Sequence, residues 1–464
     1  MILRRGEYFM FRTLRFAVVA TAISCFLIAQ TPTGILDGRV NDASGAVVAG
    51  ASVSIENQET GVHQEMSTNA DGRFYQGFVL PGLYKVTVDK PGFQKYVQSE
   101  IRVNVQQTVT LEVSMRVGDV ATTVEIKASS TQLSTESSSV SKVIGTRQII
   151  DLPLNGRNPF GLAALAPGVT PGGGGSTPFI SGGRNATNEI TIDGTSVILP
   201  ENNVSNLQTG YTPIVDSVQE FAVITNSLEA QYGRTGGGVI SVATRGGTNQ
   251  YHVSAYDFLR NSKLDANTWS NNRNGVKLAA FQQNQFGGTI GGPVSIPKIY
   301  NGSNKTFFFF SEQTQRARRG TSSQASVPIA DWINGDFSNL KNGNGQPITV
   351  YDPLNLDASG NRQPFPGNLI PANRIDKVAQ NLLKYFPKPN ANPTNAFTMQ
   401  NNFFVSGKGV NDDDKFDSRI DQNFSDKFRL FARGSYDHGE SVPFNGYGNI
   451  ASSIGDGQNI SDLL

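Results

Sequence analysis

The sequence predicts a mainly β, multidomain chain: a small β-sandwich, then an α+β domain, then the first strands of an incomplete transmembrane β-barrel. Three observations carry that reading. The 464 residues include 49 glycines, 22 prolines and 38% apolar residues, too many for one ordinary domain and rich in turn-formers. Apolar and polar residues alternate at period two in many short stretches, the mark of half-buried strands. No stretch after the N-terminal segment holds 18 consecutive apolar residues, so membrane insertion would have to be by strands closed into a barrel.

Residues 1–29 read as an export signal. Arg12 and Arg15 precede an apolar run at 16–29 that is shorter than a spanning helix. The single cysteine, Cys25, lies in that run, and His63, His252 and His438 are far apart. The mature chain therefore offers no thiol chemistry and a poor set of metal ligands, and no cofactor is expected. A net charge of +1 gives no footprint for nucleic acid.

Residues 34–118 alternate as strands: Ala51, Val53 and Ile55; Tyr84, Val86 and Val88; Ile101, Val103 and Val105; Val109, Leu111, Val113 and Met115. Turn signals at Ala43-Ser44-Gly45, Asp71-Gly72, Leu80-Pro81-Gly82 and Pro91-Gly92 separate them. Short strands at this spacing predict a sandwich. The phrases GRVNDASGAVVAGASV, TNADGRFYQGFVLPGLYKVTV and KPGF resemble the carboxypeptidase regulatory-like domain, which implies a transthyretin/Ig-like sandwich of the carbohydrate-binding-like fold. That domain is an accessory module, and no H-E-x-x-H motif occurs here. Phe74, Tyr75 and Tyr96 are candidates for stacking on a sugar face, or for filling the core.

Residues 119–141 form a linker with a Ser/Thr-rich tract. Within it Thr122, Thr123, Val124, Glu125, Ile126, Lys127 and Ala128 are β-prone and resemble a TonB box, the segment by which receptors of one outer-membrane family pair with their energising partner. Strand addition needs such a segment beside a tether. The alternative is that these residues make the last strand of the sandwich, or only a linker.

Residues 142–249 resemble the plug domain of TonB-dependent outer-membrane receptors, Oar-like subgroup. The likeness rests on DLPLNGRNPFGLAALAPGV at 151–169, on ISGGRNATNEITIDGTSV at 180–197, and on the run QEF, TN, AQYGR, GGG and VATRGGTN at 219–249. Residues 160–166 predict a short helix stopped by Pro167-Gly168. Asp193-Gly194 is a tight-turn signal. Gly236, Gly237 and Gly238 let backbone approach backbone, and residues 239–244 predict a strand. The resemblance implies that Asn155, Gly156 and Arg157, with Asp193, Gly194, Tyr232, Gly233 and Arg234, are plug-motif positions. Arg157 and Arg234 could fork onto carboxylates of the barrel wall, or serve as ordinary solvated or turn residues. The glycine run at 172–175 lacks the Lys-Ser/Thr of a phosphate loop.

Residues 250–464 predict the N-terminal part of an Oar-like barrel. Phe416, Ile420 and Phe424 alternate with Asp417, Arg419, Asp421 and Asn423; Phe428, Leu430, Ala432 and Tyr436 alternate with polar residues, with Phe431 the apolar exception. One apolar and one charged face is a lipid-out, lumen-in pattern, with a short turn at 423–426. A long loop is expected near 316–411, with a short helix near 374–385 and a solvated acidic turn at Asp412, Asp413 and Asp414. About five strands fall short of the roughly 22 of a plugged receptor barrel, so the chain is expected to be part of a longer receptor.

The resemblance implies energised uptake of an extracellular solute that the sequence does not name, with carbohydrate and peptide as candidates, by a protein of the outer membrane with its N-terminal domain in the periplasm. Partners are then a TonB energising complex and outer-membrane lipid, and the chain is not an enzyme. The alternative is an outer-membrane carbohydrate-binding or adhesion protein without transport. A peptidase reading ranks last, because no nucleophile, base and metal constellation is visible.

Overall fold

The computed structural model describes residues 32–118, 123–127, 139–172, 178–183, 187–198, 209–228, 232–233, 235–273, 278–426, 428–449 and 459–463. The expected export signal, Thr122, Ala128, Arg234 and most of the 172–175 glycine run lie outside them. The chain forms two compact units. One holds the sandwich, the plug region and the strand segments 288–311 and 416–435; the other holds 255–287, 312–415 and 436–464.

The sandwich is built from β1 (Gly34–Asp42), β2 (Ser52–Asn57), β3 (His63–Ser67), β4 (Arg73–Val79), β5 (Gly82–Asp89), β6 (Lys95–Val103), β7 (Thr108–Met115) and β8 (Thr123–Lys127). One sheet runs β4-β1-β7 and the other β3-β2-β5-β6-β8. Burial alternates along β5 and β7 as period two requires. The inward set, with Leu36, Val40, Val53, Ile55, Phe74, Val86, Ile101, Val113 and Met115, forms one continuous core. Gly38 is needed in β1 because a Cβ there would lie 2.6 Å from the Phe74 ring and from Leu111 O.

The region expected to resemble a plug contains β9 (Val140–Gly145), α1 (Thr146–Asp151), β10 (Val169–Thr170), β11 (Phe179–Ile180), β12 (Glu189–Ile192), β13 (Thr195–Ser196), β14 (Val218–Asn226) and β15 (Val239–Thr244). Its five-stranded sheet runs β13-β12-β15-β14-β9, with β12 and β15 parallel and β14 antiparallel to both neighbours. All six residues of β15 are buried, because both faces of the strand are covered. The short helix expected at 160–166 is a 3-10 turn, Pro159–Leu165, capped by Asn158 Oδ1, which accepts from Phe160 N at 3.0 Å. The glycine run packs as its composition demands. A Cβ on Gly238 would meet Ile180 Cγ2 at 2.4 Å and Ile224 O at 2.6 Å, and one on Gly237 would meet Asn188 Oδ1 at 2.3 Å.

The remaining strands are β16 (His252–Asn261), β17 (Phe281–Pro293), β18 (Ser295–Ile296), β19 (Tyr300–Asn301), β20 (Thr306–Ala325), β21 (Tyr351–Leu356), β22 (Arg362–Pro364), β23 (Phe403–Ser425), β24 (Phe428–Val442) and β25 (Asn459–Leu463). A six-stranded sheet runs β16-β17-β20-β23-β24-β25 and is not closed among the described residues. Phe416, Ile420, Phe424, Phe428 and Leu430 are exposed while Asp417 and Arg419 are buried, the alternation of a strand with lipid on one side. Phe307 and Phe309 point inward and are buried; Gly247 beneath them leaves no room for a Cβ, which would sit 2.9 Å from Phe307 Cβ.

The long loop is shorter than expected, because β20 continues to Ala325 and β23 begins at Phe403. The acidic triplet is corspondingly in a strand rather than a turn. Asp414 takes Arg316 at 2.9 Å, Asp412 takes Arg318, and Asp413 and Asp437 take Lys415 at 3.4 and 3.0 Å. Cross-strand charge pairing, not apolar alternation, sustains these ends. Inside the loop a helix at Lys377–Leu383 is capped by Asp376, which accepts from Val378 N and Ala379 N. Among the described residues no helix is long and apolar enough to cross a membrane.

Candidate functional site

The densest charged centre is at Asp193. Asp193 and Gly194 both have positive φ, 48° and 85°, the conformation a tight Asp-Gly hairpin turn requires. Asp193 N donates to Val242 O at 2.9 Å, which fixes the turn on β15. The carboxylate accepts from Thr244 N at 3.0 Å and Thr244 Oγ1 at 2.6 Å. It also receives two wall guanidinium groups, Arg419 from β23 at 3.3 Å and Arg433 from β24 at 3.2 Å. Arg419 is shared with Asp421 at 2.8 Å and stacks over the Phe431 ring at 4.7 Å. That stacking accounts for the one apolar residue on the polar face of β24. Nearby, Tyr211 Oη of the plug region donates to Asp417 Oδ1 at 2.7 Å, and Ser435 Oγ donates to the same oxygen at 2.6 Å. The Asp193-Gly194 turn is thus pinned to β23 and β24 by buried, charge-assisted bonds.

Arg157 takes its carboxylate from the plug itself. It pairs with Asp216 of the Val215–Ser217 turn, both partners being nearly buried. Of the two roles open to Arg157, this contact is a turn-stabilising one, and the ion pairs with β23 and β24 are made by Asp193. Gly156 and Arg157 adopt positive φ, 76° and 49°, so the Asn155–Arg157 turn needs its glycine. Tyr232 and Gly233 are half-buried and exposed, respectively; Arg234 and the Asn155 side chain lie outside the description.

A second centre joins the sandwich to the plug sheet. Glu220, in β14, has no exposed surface. Its carboxylate accepts from Val105 N and from Arg102 at 3.1 Å. Burial pushes its pKa above the ordinary glutamate value, against the lowering effect of the Val105 amide and of Arg102. Val105 packs on Ala222, Ala243 and Val143, and Gln219 Nε2 donates to Pro81 O at 3.1 Å. Gln64 Nε2 reaches Asp426 O in the β23–β24 turn at 3.2 Å, and Arg429 reaches Phe78 O at 3.3 Å. A cavity of about 550 Å³ lies between these parts, bordered by Phe78, Tyr84, Arg245, Phe307, Arg429 and Phe431. Burial lowers the pKa of Arg245 there, partly offset by Asp216.

Residues Thr123–Lys127 of the linker form β8 and pair in parallel with Lys95–Ser99 of β6. Of the three candidate sugar-stacking aromatics, Phe74 and Tyr96 are in the core and Tyr75 is 65% exposed.

Residues 243–462 match the outer membrane beta barrel domain, and residues 35–116 match the carboxypeptidase regulatory-like domain. The C-terminal half of the chain is thus similar to an outer-membrane β-barrel domain, and its N-terminal sandwich to a regulatory-like domain. The chain is similar to the TonB-dependent transporter Oar of Myxococcus xanthus, at 25% identity over 271 residues, covering 56% of this chain and 24% of that protein. Solved structures similar to it include the outer membrane transporter YddB of Escherichia coli, at 14% identity and a TM-score of 0.39. Another is the ferric enterobactin receptor PfeA of Pseudomonas aeruginosa, at 14% identity and a TM-score of 0.34. Each likeness covers 66% of this chain and 34% of the other. The matched region is thus about a quarter of the curated relative's length.

Proposed function

We infer that this chain serves as an outer-membrane receptor that imports a solute by energised displacement of its plug, with the sandwich in the periplasm. The observation that carries the reading is the Asp193 centre. A buried ion pair adds little net stability, since desolvation offsets its attraction, but it fixes position and is costly to half-break. Holding a plug to a wall through one such centre gives a defined closed state that a directed pull can open. The similarity to a TonB-dependent transporter supports TonB as the source of that pull, with residues 122–128 as the handle. A second reading, glycan binding by the sandwich, is favoured by the exposed ring of Tyr75, which is free to stack on a sugar face.

Single cysteines placed in turn at residues 122–128, with cysteines in the partner strand of TonB, test the first reading by disulfide capture in cells. Capture confined to this window is expected. Capture nowhere in it would remove the handle and the energised mechanism with it.

A further inference from the structure

Arg245 follows β15 directly and is fixed by its own neighbourhood: its amide donates to Ser217 O at 2.8 Å and its Nε to Val218 O at 3.3 Å. Its Nη2 is buried and has no hydrogen-bond partner among the described residues. The carboxylate whose attraction it feels is Asp216, and that carboxylate is in contact with Arg157. Two guanidinium groups therefore share one carboxylate. A buried cation without its own counter-charge is costly, and burial accordingly lowers the Arg245 pKa.

Arg245 borders the cavity of about 550 Å³ between the sandwich, β15 and the β23–β24 hairpin. That volume falls within the range of about 300–1,000 Å³ usual for small-molecule sites. The walls are largely aromatic, with Phe78 and Tyr84 from the sandwich, Phe307 from β20 and Phe431 from β24. Of the charged groups around it, Asp193 and Asp421 are matched by Arg419 and Arg433. Glu59 and Arg429 act in opposite senses on Tyr84 between them. The positive charge without a match is that of Arg245.

We propose that this cavity binds a small monocarboxylate with an apolar body, its carboxylate on Arg245 and its body among Phe78, Tyr84, Phe307 and Phe431. A carboxylate supplies the single negative charge that is short and offers two acceptor oxygens to a guanidinium. A phosphate monoester carries about 1.5 to 2 negative charges at neutral pH and would overcharge the site. Because the walls come from the sandwich as well as from β15, β20 and β24, the ligand binds the docked sandwich and stabilises docking by linkage. The ligand is distinct from the solute of the uptake reading, and its binding needs no energising partner.

The probe is 2-naphthoate, measured by equilibrium dialysis against outer-membrane vesicles that contain the full chain, with vesicles lacking it as the blank. Saturable retention above the blank is expected, and its absence would overturn the proposal. The neutral 2-naphthalenemethanol should bind at least tenfold more weakly, and 2-naphthyl phosphate more weakly than the carboxylate. Equal binding of the alcohol, or tighter binding of the phosphate, would overturn the assignment of a carboxylate. Arg245→Met keeps the apolar stem and removes the charge. It should lose at least tenfold in naphthoate affinity while the urea midpoint for labelling of Ser241→Cys stays at or above the parent's. Unchanged affinity, or a lost affinity that merely follows a fallen midpoint, would overturn the role given to Arg245. Val62→Trp fills the cavity from the sandwich side with Arg245 intact and should abolish binding; retained binding would place the naphthoate elsewhere and overturn the proposal. At ten times its dissociation constant, naphthoate should raise protection of the Val105 amide about tenfold in the parent chain. Unchanged protection would overturn the coupling to docking.

Discussion

Replacing Asp193 with alanine tests the plug-to-wall lock most sharply. The substitution removes a carboxylate that is 4% exposed and leaves Arg419, 8% exposed, and Arg433, 17% exposed, without it. Breaking a buried pair costs about 3–5 kcal/mol. The lower end applies because Arg419 keeps Asp421 at 2.8 Å and Arg433 keeps Ser435 Oγ at 2.8 Å. A loss of about 3 kcal/mol corresponds to about a 150-fold rise in the population with the plug loosened. The assay is maleimide labelling of Ser241→Cys, a site 2% exposed in β15, in outer-membrane vesicles over a urea series. Asp193→Asn, which keeps an acceptor for Thr244 N but loses the charge, should fall between. Labelling of Asp193→Ala within twofold of the parent would refute the argument that this centre holds the plug.

Three other outcomes follow from the same geometry. Because the docked state raises the pKa of Glu220, docking is tightest below the ordinary glutamate value and weakens as pH rises through the raised one. Protection of the Val105 amide, corrected for intrinsic exchange, should fall from pH 4.5 to 7.5, and Glu220→Gln should flatten that slope; the charged group facing Glu220 is Arg102. Arg157→Ala takes the ion-pair partner from Asp216 in a nearly buried turn, leaving it the attraction of Arg245, and should cost about 2 kcal/mol, read as a lower urea midpoint for Ser241→Cys labelling. Gly238→Ala forces a methyl to within 2.4 Å of Ile180 and should cost about 1–3 kcal/mol by overpacking, measured the same way, whereas Gly448→Ala, with nothing within 4 Å but a φ of 70°, should pay only for its backbone conformation.

The parts legible in the sequence were those written in local pattern. Period-two alternation marked β2, β5, β7 and the paired faces of β23 and β24, and Asp193-Gly194 announced its own turn. What local pattern does not carry is who meets whom. Arg419 and Arg433 lie more than 200 positions from Asp193 and look like any lumen-facing residues, so local pattern points to Arg157 and Arg234 as candidate carboxylate partners and leaves the pairs made by Asp193 unseen. Glu220 sits in a strand whose neighbours are apolar, and nothing nearby shows that a sandwich amide 115 residues upstream will bury it. The ends of β20 and β23 read as loop because Arg316, Arg318, Asp412 and Asp414 have no apolar alternation; their pairing is electrostatic and visible only across strands. Phe431 broke the polar face for a reason on the neighbouring strand, the guanidinium of Arg419.

The central claim is that an energised pull frees a plug held at Asp193. Its most direct test is labelling of Ser241→Cys in living cells that contain the energising complex, with and without an uncoupler. The account predicts labelling that depends on the proton gradient in the parent chain, and labelling that persists without the gradient once Asp193 is alanine. Equal labelling of the parent in both conditions, with the energising partner present and bound, would contradict it.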